Sequence, residues 1–190
     1  MRMIRSSVHQ QRGASLIEVL VSILVVSLGV VAMGGLLASA TRLGKASEMR
    51  AVASLMASDI ADRMKANVGA ARSSLYDHTD AFVSPPATPT PVNCALPLNC
   101  QPKELADQDM AQWRLSLLNA LPSGTGYVRY DAGALDAAGG AVDVWVAWLD
   151  PTALSVGAFQ DIDSLNAKTC PPGFRDLNPQ PRCMYFRVAL

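Results

Sequence analysis

The sequence has little of what a catalytic or metal-binding protein needs. Its 190 residues include two histidines, His9 and His78, and four cysteines. No Ser-His-Asp arrangement stands out around so few imidazoles, and His78, alone in the polar segment "LYDHTD", reads as a surface loop residue. The cysteines lack the CxxC spacing of a zinc site. "QDIDSLNAK" offers Asp161, Asp163 and Asn166 but neither the glycine nor the distant bidentate glutamate of a calcium loop, so it reads as a solvated turn. "DAAGGAVD" has glycines without the lysine of a phosphate loop and reads as a hairpin connection. The expectation is no catalytic residue, no metal and no cofactor.

A net charge of either sign is also lacking, since 16 basic side chains balance 16 acidic ones. The basic residues gather into no stripe or patch, and Arg2, Arg5 and Arg12 are their one local cluster, so no nucleic-acid partner is expected. Without residues 1–13, 13 basic side chains would face 16 acidic ones, a mildly acidic remainder.

The third absence is local. No charged residue occurs from Val19 through Thr41, a run of 23 residues. As a helix rising about 1.5 Å per residue it spans a hydrocarbon layer roughly 30 Å thick, and a membrane anchor is expected. Glu18 stands at its edge, although a carboxylate at the centre of such a helix costs roughly 2.5 to 3.5 kcal/mol, and less toward the end. A cation within reach would make Glu18 tolerable; without one, it reads as an interfacial acid in a plain anchor.

Ahead of the run the order of features is the reverse of a secretory signal peptide, which has a shorter apolar region followed by a small-residue cut site. Here the small residue Gly13 precedes the apolar run, and the acid follows five residues later. In this order "RGASLIEVLVSILVVSLG" resembles the prepilin signal of type IV pilins and type II secretion pseudopilins. The resemblance implies cleavage by prepilin peptidase between Gly13 and Ala14 and N-methylation of Ala14. It also implies a subunit-assembly role for Glu18, whose partner would be the terminal amine of a neighbouring subunit. Ala14 stands where the family most often has phenylalanine, and Gly34 and Gly35 stand where many pilins carry a helix proline. Those glycines fit either local melting during assembly or close helix packing with Ala38 and Ser39.

Beyond the apolar run, Met49, Val52, Met56, Ile60 and Met64 recur every three or four residues. They predict an amphipathic continuation whose methionines are core rather than ligands. Within it "LMASDIADRMKAN" resembles the corresponding helix of PilV-type minor pilins. "SPPATPTPVNCALPLNCQP" is too rich in proline for a helix and predicts a loop over 84–102. A second helix is expected from Lys103 to Leu121, with Leu105, Trp113, Leu117 and Leu121 on one face. Strands are expected at "GYVRY", "VDVWVAWL" and "CMYFRVAL", the second with Val142, Val144, Val146 and Trp148 on one face.

These elements predict an α+β fold in which a long amino-terminal transmembrane and amphipathic helix packs on an antiparallel sheet, with a second short helix. That arrangement is also pilin-like. Four cysteines in an exported domain point to two disulfides, with three connectivities possible. Proline-rich and polar intervals favour Cys94 with Cys100 and Cys170 with Cys183. The second interval resembles the disulfide-bounded carboxy-terminal loop of pilins.

The resemblance divides the chain into a leader, 1–13; a transmembrane half of the helix, 14–41; and a periplasmic pilin-like domain, 42–190, whose helical part is 42–67. It implies a minor pilin, first in the bacterial inner membrane and then in a type IV pilus at the cell surface, near the tip. Implied partners are prepilin peptidase, the major pilin, other minor pilins, the inner-membrane assembly machinery and a tip adhesin. A type II secretion minor pseudopilin is the alternative within the same class. A membrane-anchored periplasmic enzyme or receptor is the alternative from another class, and it calls for an uncut amino terminus and a pocket lined by acids or histidines.

Overall fold

The computed structural model describes residues 15–90, 94, 100–133, 140–151, 169–175 and 177–190. Two compact units divide at Leu43 and Gly44. The first is the apolar part of helix α1, Leu16–Ala66. Its large apolar side chains are exposed throughout, Leu16 at 78% and Val31 at 74%, so no core within this unit accounts for their hydrophobicity among the described residues. The helix runs unbroken through Gly34 and Gly35, where an added Cβ would meet nothing within 4 Å.

The second unit has an α+β, pilin-like layout. After α1 come a short helix α2, Val68–Arg72, and helix α3, Pro102–Ala120. Three strands follow, β1 at Thr125–Asp131, β2 at Ala141–Trp148 and β3 at Arg182–Ala189, forming an antiparallel sheet in the order β1-β2-β3. All three expected strands are present within two residues of their expected bounds. α3 begins one residue earlier than expected because Pro102, which has no amide hydrogen to leave unpaired, takes its first turn. The Glu104 carboxylate accepts the Gln101 amide at 3.0 Å and closes that end. α2 was not anticipated.

One face of the sheet belongs to the main core. Val142, Val144, Val146 and Trp148 of β2 join Val128 and Val188 against Ile60 and Met64 of α1 and Trp113 and Leu117 of α3. The expected methionine stripe lies on the packed face of α1, and three alanines complete it. Fully buried positions on α1 are Ala53, Ala57, Ile60, Ala61 and Met64, whereas Met49, Val52 and Met56 pack partly buried at the margin. The Trp113 indole reaches from α3 to donate to the Met56 carbonyl of α1 at 2.8 Å. On α3 the buried set is Ala106, Met110, Trp113 and Leu117, with Leu105 only half-buried. Gly126 admits this packing, since a Cβ there would collide with the Trp113 ring.

Part of the opposite face of β2 is covered as well, which the valine pattern does not announce. A second cluster of Phe82, Tyr127, Ala147, Cys170, Phe174 and Cys183 sits there. Its rings meet edge-on, Phe82 with Phe174 at 5.6 Å and Tyr127 with Trp145 at 5.3 Å between centroids.

Candidate functional site

The candidate assembly site is the amino-terminal end of α1. Gly13 and Ala14 lie outside the described residues. The Ser15 carbonyl accepts the amides of Glu18 and Val19 at 2.9 and 3.2 Å and so starts the helix. Glu18 lies in the first turn, where the positive end of the helix dipole favours a carboxylate. Its side chain is exposed, and no described residue forms an ion pair or hydrogen bond with that carboxylate. Nothing in the described fold of the chain depends on its charge.

Both cysteine pairs are bonded locally. Cys94 joins Cys100 with Cα atoms 6.1 Å apart, and Cys170 joins Cys183 at 5.2 Å. Cys183 is the second residue of β3, so the second bond ties the preceding loop to the sheet, with both cysteines inside the second cluster.

His78 is not the surface loop residue that its sequence context predicts. It exchanges both backbone hydrogen bonds with Val128 at 2.9 Å, adding a bridge to the free edge of β1. Its side chain is only 14% exposed, with Nδ1 3.5 Å from Asp80. Burial depresses its pKa below the ordinary histidine value, helped by the Arg114 cation and opposed by Asp80. The imidazole lines a cleft with Asp77, Asp107 and Arg114. Among the described residues no group of three or more metal-ligating acids, histidines or cysteines gathers there or elsewhere. Asp161, Asp163 and Asn166 lie outside the described residues, as does the first half of "DAAGGAVD".

Two polar networks escaped the sequence reading. At the end of α1, Arg63 donates to Asp59 at 3.1 Å, Asp109 at 3.2 Å and Gln112 at 3.0 Å, joining the helix to α3. Burial works to lower the Arg63 pKa, but the two carboxylates raise it overall. Tyr76 donates to the other oxygen of Asp109 at 2.7 Å, and burial together with that bond pushes the phenol well above its usual range.

The second network crosses the outer face of the sheet, where register aligns Arg129, Asp143 and Arg187 in one row. Asp143 is 4% exposed and accepts from Tyr185 Oη at 2.7 Å and Arg187 Nη1 at 3.0 Å. Arg129 lies 3.7 Å from its other oxygen. Arg187 also donates to Asp131 at 2.8 Å, and this bond holds the Asp131 carboxyl below the usual range. A charged residue at an alternate position in each of the three strands was the available signal.

The amino-terminal segment also matches a known pattern. Residues 8–34 fit the profile of the prokaryotic N-terminal methylation motif. The chain carries a prepilin-type amino terminus. The motif supports a place among type IV pilin-like proteins, as a pilin or pseudopilin of a type IV pilus or a type II secretion system. It implies processing by prepilin peptidase and assembly with other pilins. With the long apolar helix, it fits a membrane-anchored pilin with a soluble carboxy-terminal domain. No curated protein and no solved structure matches the chain.

Proposed function

We propose that this chain is a minor pilin of the PilV type that primes or modifies assembly of a type IV pilus. The methylation motif over residues 8–34 carries the reading, and the "LMASDIADRMKAN" helix favours a minor pilin over a pseudopilin. Prepilin peptidase cuts between Gly13 and Ala14 on the cytoplasmic side, and the new amino terminus at Ala14 is methylated. Residues 14–41 then hold the subunit in the inner membrane, with residues 42–190 in the periplasm, where the Cys94–Cys100 and Cys170–Cys183 disulfides are stable.

Glu18 acts as a register device. Its desolvation is tolerable where the terminal amine of a neighbouring subunit meets it, and a subunit seated wrongly leaves the carboxylate unpaired in hydrocarbon. Its position in a first helical turn, without a partner among the described residues, supports this role. The assembled subunit sits near the pilus tip with other minor pilins above the major pilin, beside a tip adhesin.

Intact-mass measurement of the chain, expressed with an active prepilin peptidase, tests the reading. The expected product begins at Ala14 and is one methyl group heavier. Retention of residues 1–13 would overturn it, and a cut but unmethylated product would remove the methylation alone. Recovery of the mature chain in sheared pili separates the pilus role from a secretion pseudopilus.

A further inference from the structure

Disulfide Cys170–Cys183 and the loop residues Phe174 and Leu177 cover one half of the outer sheet face. The other half is open: Tyr185 is 42% exposed, Trp145 is half-buried beside it with ring centroids 5.0 Å apart, and the Arg129 and Arg187 side chains are 51% and 44% exposed. We propose that this open half is a stacking platform for a neutral oligosaccharide. The proposal is independent of the prepilin reading.

Three observations select that ligand chemistry. The platform is preorganised, since Asp143 fixes the Tyr185 hydroxyl and the Arg187 guanidinium while Asp131 takes the second arm of Arg187. A ligand landing there immobilises few side chains of its own accord. Its charges also cancel, two arginines against Asp131 and Asp143. Such a surface has no net field to gather the phosphates of a nucleic acid.

Aliphatic anchors are missing too. The described residues of the globular unit expose Leu55, Val83 and Tyr185 as large apolar side chains, and Tyr185 is the one on the sheet. A protein partner would find little to form a desolvated apolar centre. What the face offers is the exposed Tyr185 ring, with the Trp145 ring tilted 41° to it, beside fixed donors and acceptors. A pyranose ring, with an apolar C–H face and a rim of hydroxyls, complements that set.

Tryptophan emission reads the site selectively. Trp113 and Trp148 are buried at 0% and 2% exposure, leaving Trp145 as the ring a surface ligand touches. The full chain, held in a sugar-free zwitterionic detergent, is titrated with cellotetraose, chitotetraose and maltotetraose. The expected result is a saturable change in emission with at least one of them, weakened about tenfold or more in Tyr185→Ala and in Arg129→Ala. Both variants keep the Trp145 reporter, and near-ultraviolet circular dichroism checks that the core is intact. No saturable response to any of the three sugars overturns the proposal. So does an affinity unchanged in both folded variants, or a response to oligothymidylate in place of the sugars.

Discussion

The two units of this chain treat apolar residues in opposite ways. Along α1 from Leu16 to Leu43 nearly every large apolar side chain is exposed, while in the globular unit Ile60, Met64, Trp113 and Val144 are wholly buried. The first unit, long and apolar enough to cross a membrane, builds no core of its own among the described residues, and the second does. Substitutions distinguish the two.

The largest effect is expected at Trp113, which fills the space between α1, α3 and Gly126 and donates to the Met56 carbonyl. Trp113→Ala should destabilise the globular unit by about 3 to 5 kcal/mol, since truncating a buried aromatic loses its transfer energy and leaves a cavity. Chemical denaturation followed by near-ultraviolet circular dichroism measures it. A loss below 1 kcal/mol, on the scale of an ordinary surface change, would mean that the helices close over the gap and that the core is not organised around this ring.

Next comes the disulfide of the outer cluster. Cys170 and Cys183 are separated by 13 positions, and their bond limits the unfolded chain by closing that loop. The double substitution Cys170→Ser, Cys183→Ser should cost about 2 to 4 kcal/mol. Phe174 and Phe82 should become accessible to a hydrophobic dye, because the loop that carries Phe174 loses its tie to β3. Unchanged denaturation midpoints in oxidised and reduced protein would contradict this.

A smaller effect follows from His78. Its folded pKa is depressed, chiefly by burial, so the folded state favours the neutral imidazole. The associated stability is present above the unfolded pKa, about 6.5, and is lost as pH falls below that value toward the folded pKa. Stability of the globular unit should decline on acidification through that window, and His78→Gln should flatten the slope. Equal slopes in the two proteins would show that the imidazole titrates as a solvated group.

These particular residues also mark what sequence could and could not convey. The three strands were legible because alternation of apolar side chains is a local, period-two signal, and α3 was legible from its apolar spacing, though Pro102 was assigned to the loop before it. The packed face of α1 was legible from Met49, Val52, Met56, Ile60 and Met64, but Ala53, Ala57 and Ala61, which complete it, were not, because alanine is too weakly hydrophobic to mark a buried position. The bridge at His78 and the row Arg129, Asp143, Arg187 depend on pairing between distant segments, a long-range property that no window of sequence contains. The assembly motif was readable at once, because its meaning lies in the order of residues along one segment rather than in a tertiary arrangement.

In the apolar half of α1, truncation should barely register on folding. Leu24 is 58% exposed, and Leu24→Ala should move the stability of the globular unit by no more than about 0.5 kcal/mol. A loss comparable to that of Trp113→Ala would break the contrast between the units, since it would mean that the apolar helix supports the domain's own core.

The smallest effect on folding is expected at Glu18, together with a clear effect on assembly. Glu18→Gln keeps size and hydrogen-bonding capacity but removes the charge that an ammonium group would meet. With no described partner for the carboxylate, the globular unit should unfold at the same denaturant concentration as the parent, and cleavage after Gly13 should proceed. Incorporation into sheared pili should nevertheless fall, and it should fall further for Glu18→Lys, which places two cations together at membrane depth. The ranking carries the argument: an interfacial acid that merely reaches the headgroups is replaced harmlessly by either residue, whereas a partner of a terminal amine is weakened by glutamine and repelled by lysine. Equal incorporation of both variants, measured against the parent chain as the sole copy, would leave Glu18 without an assembly role.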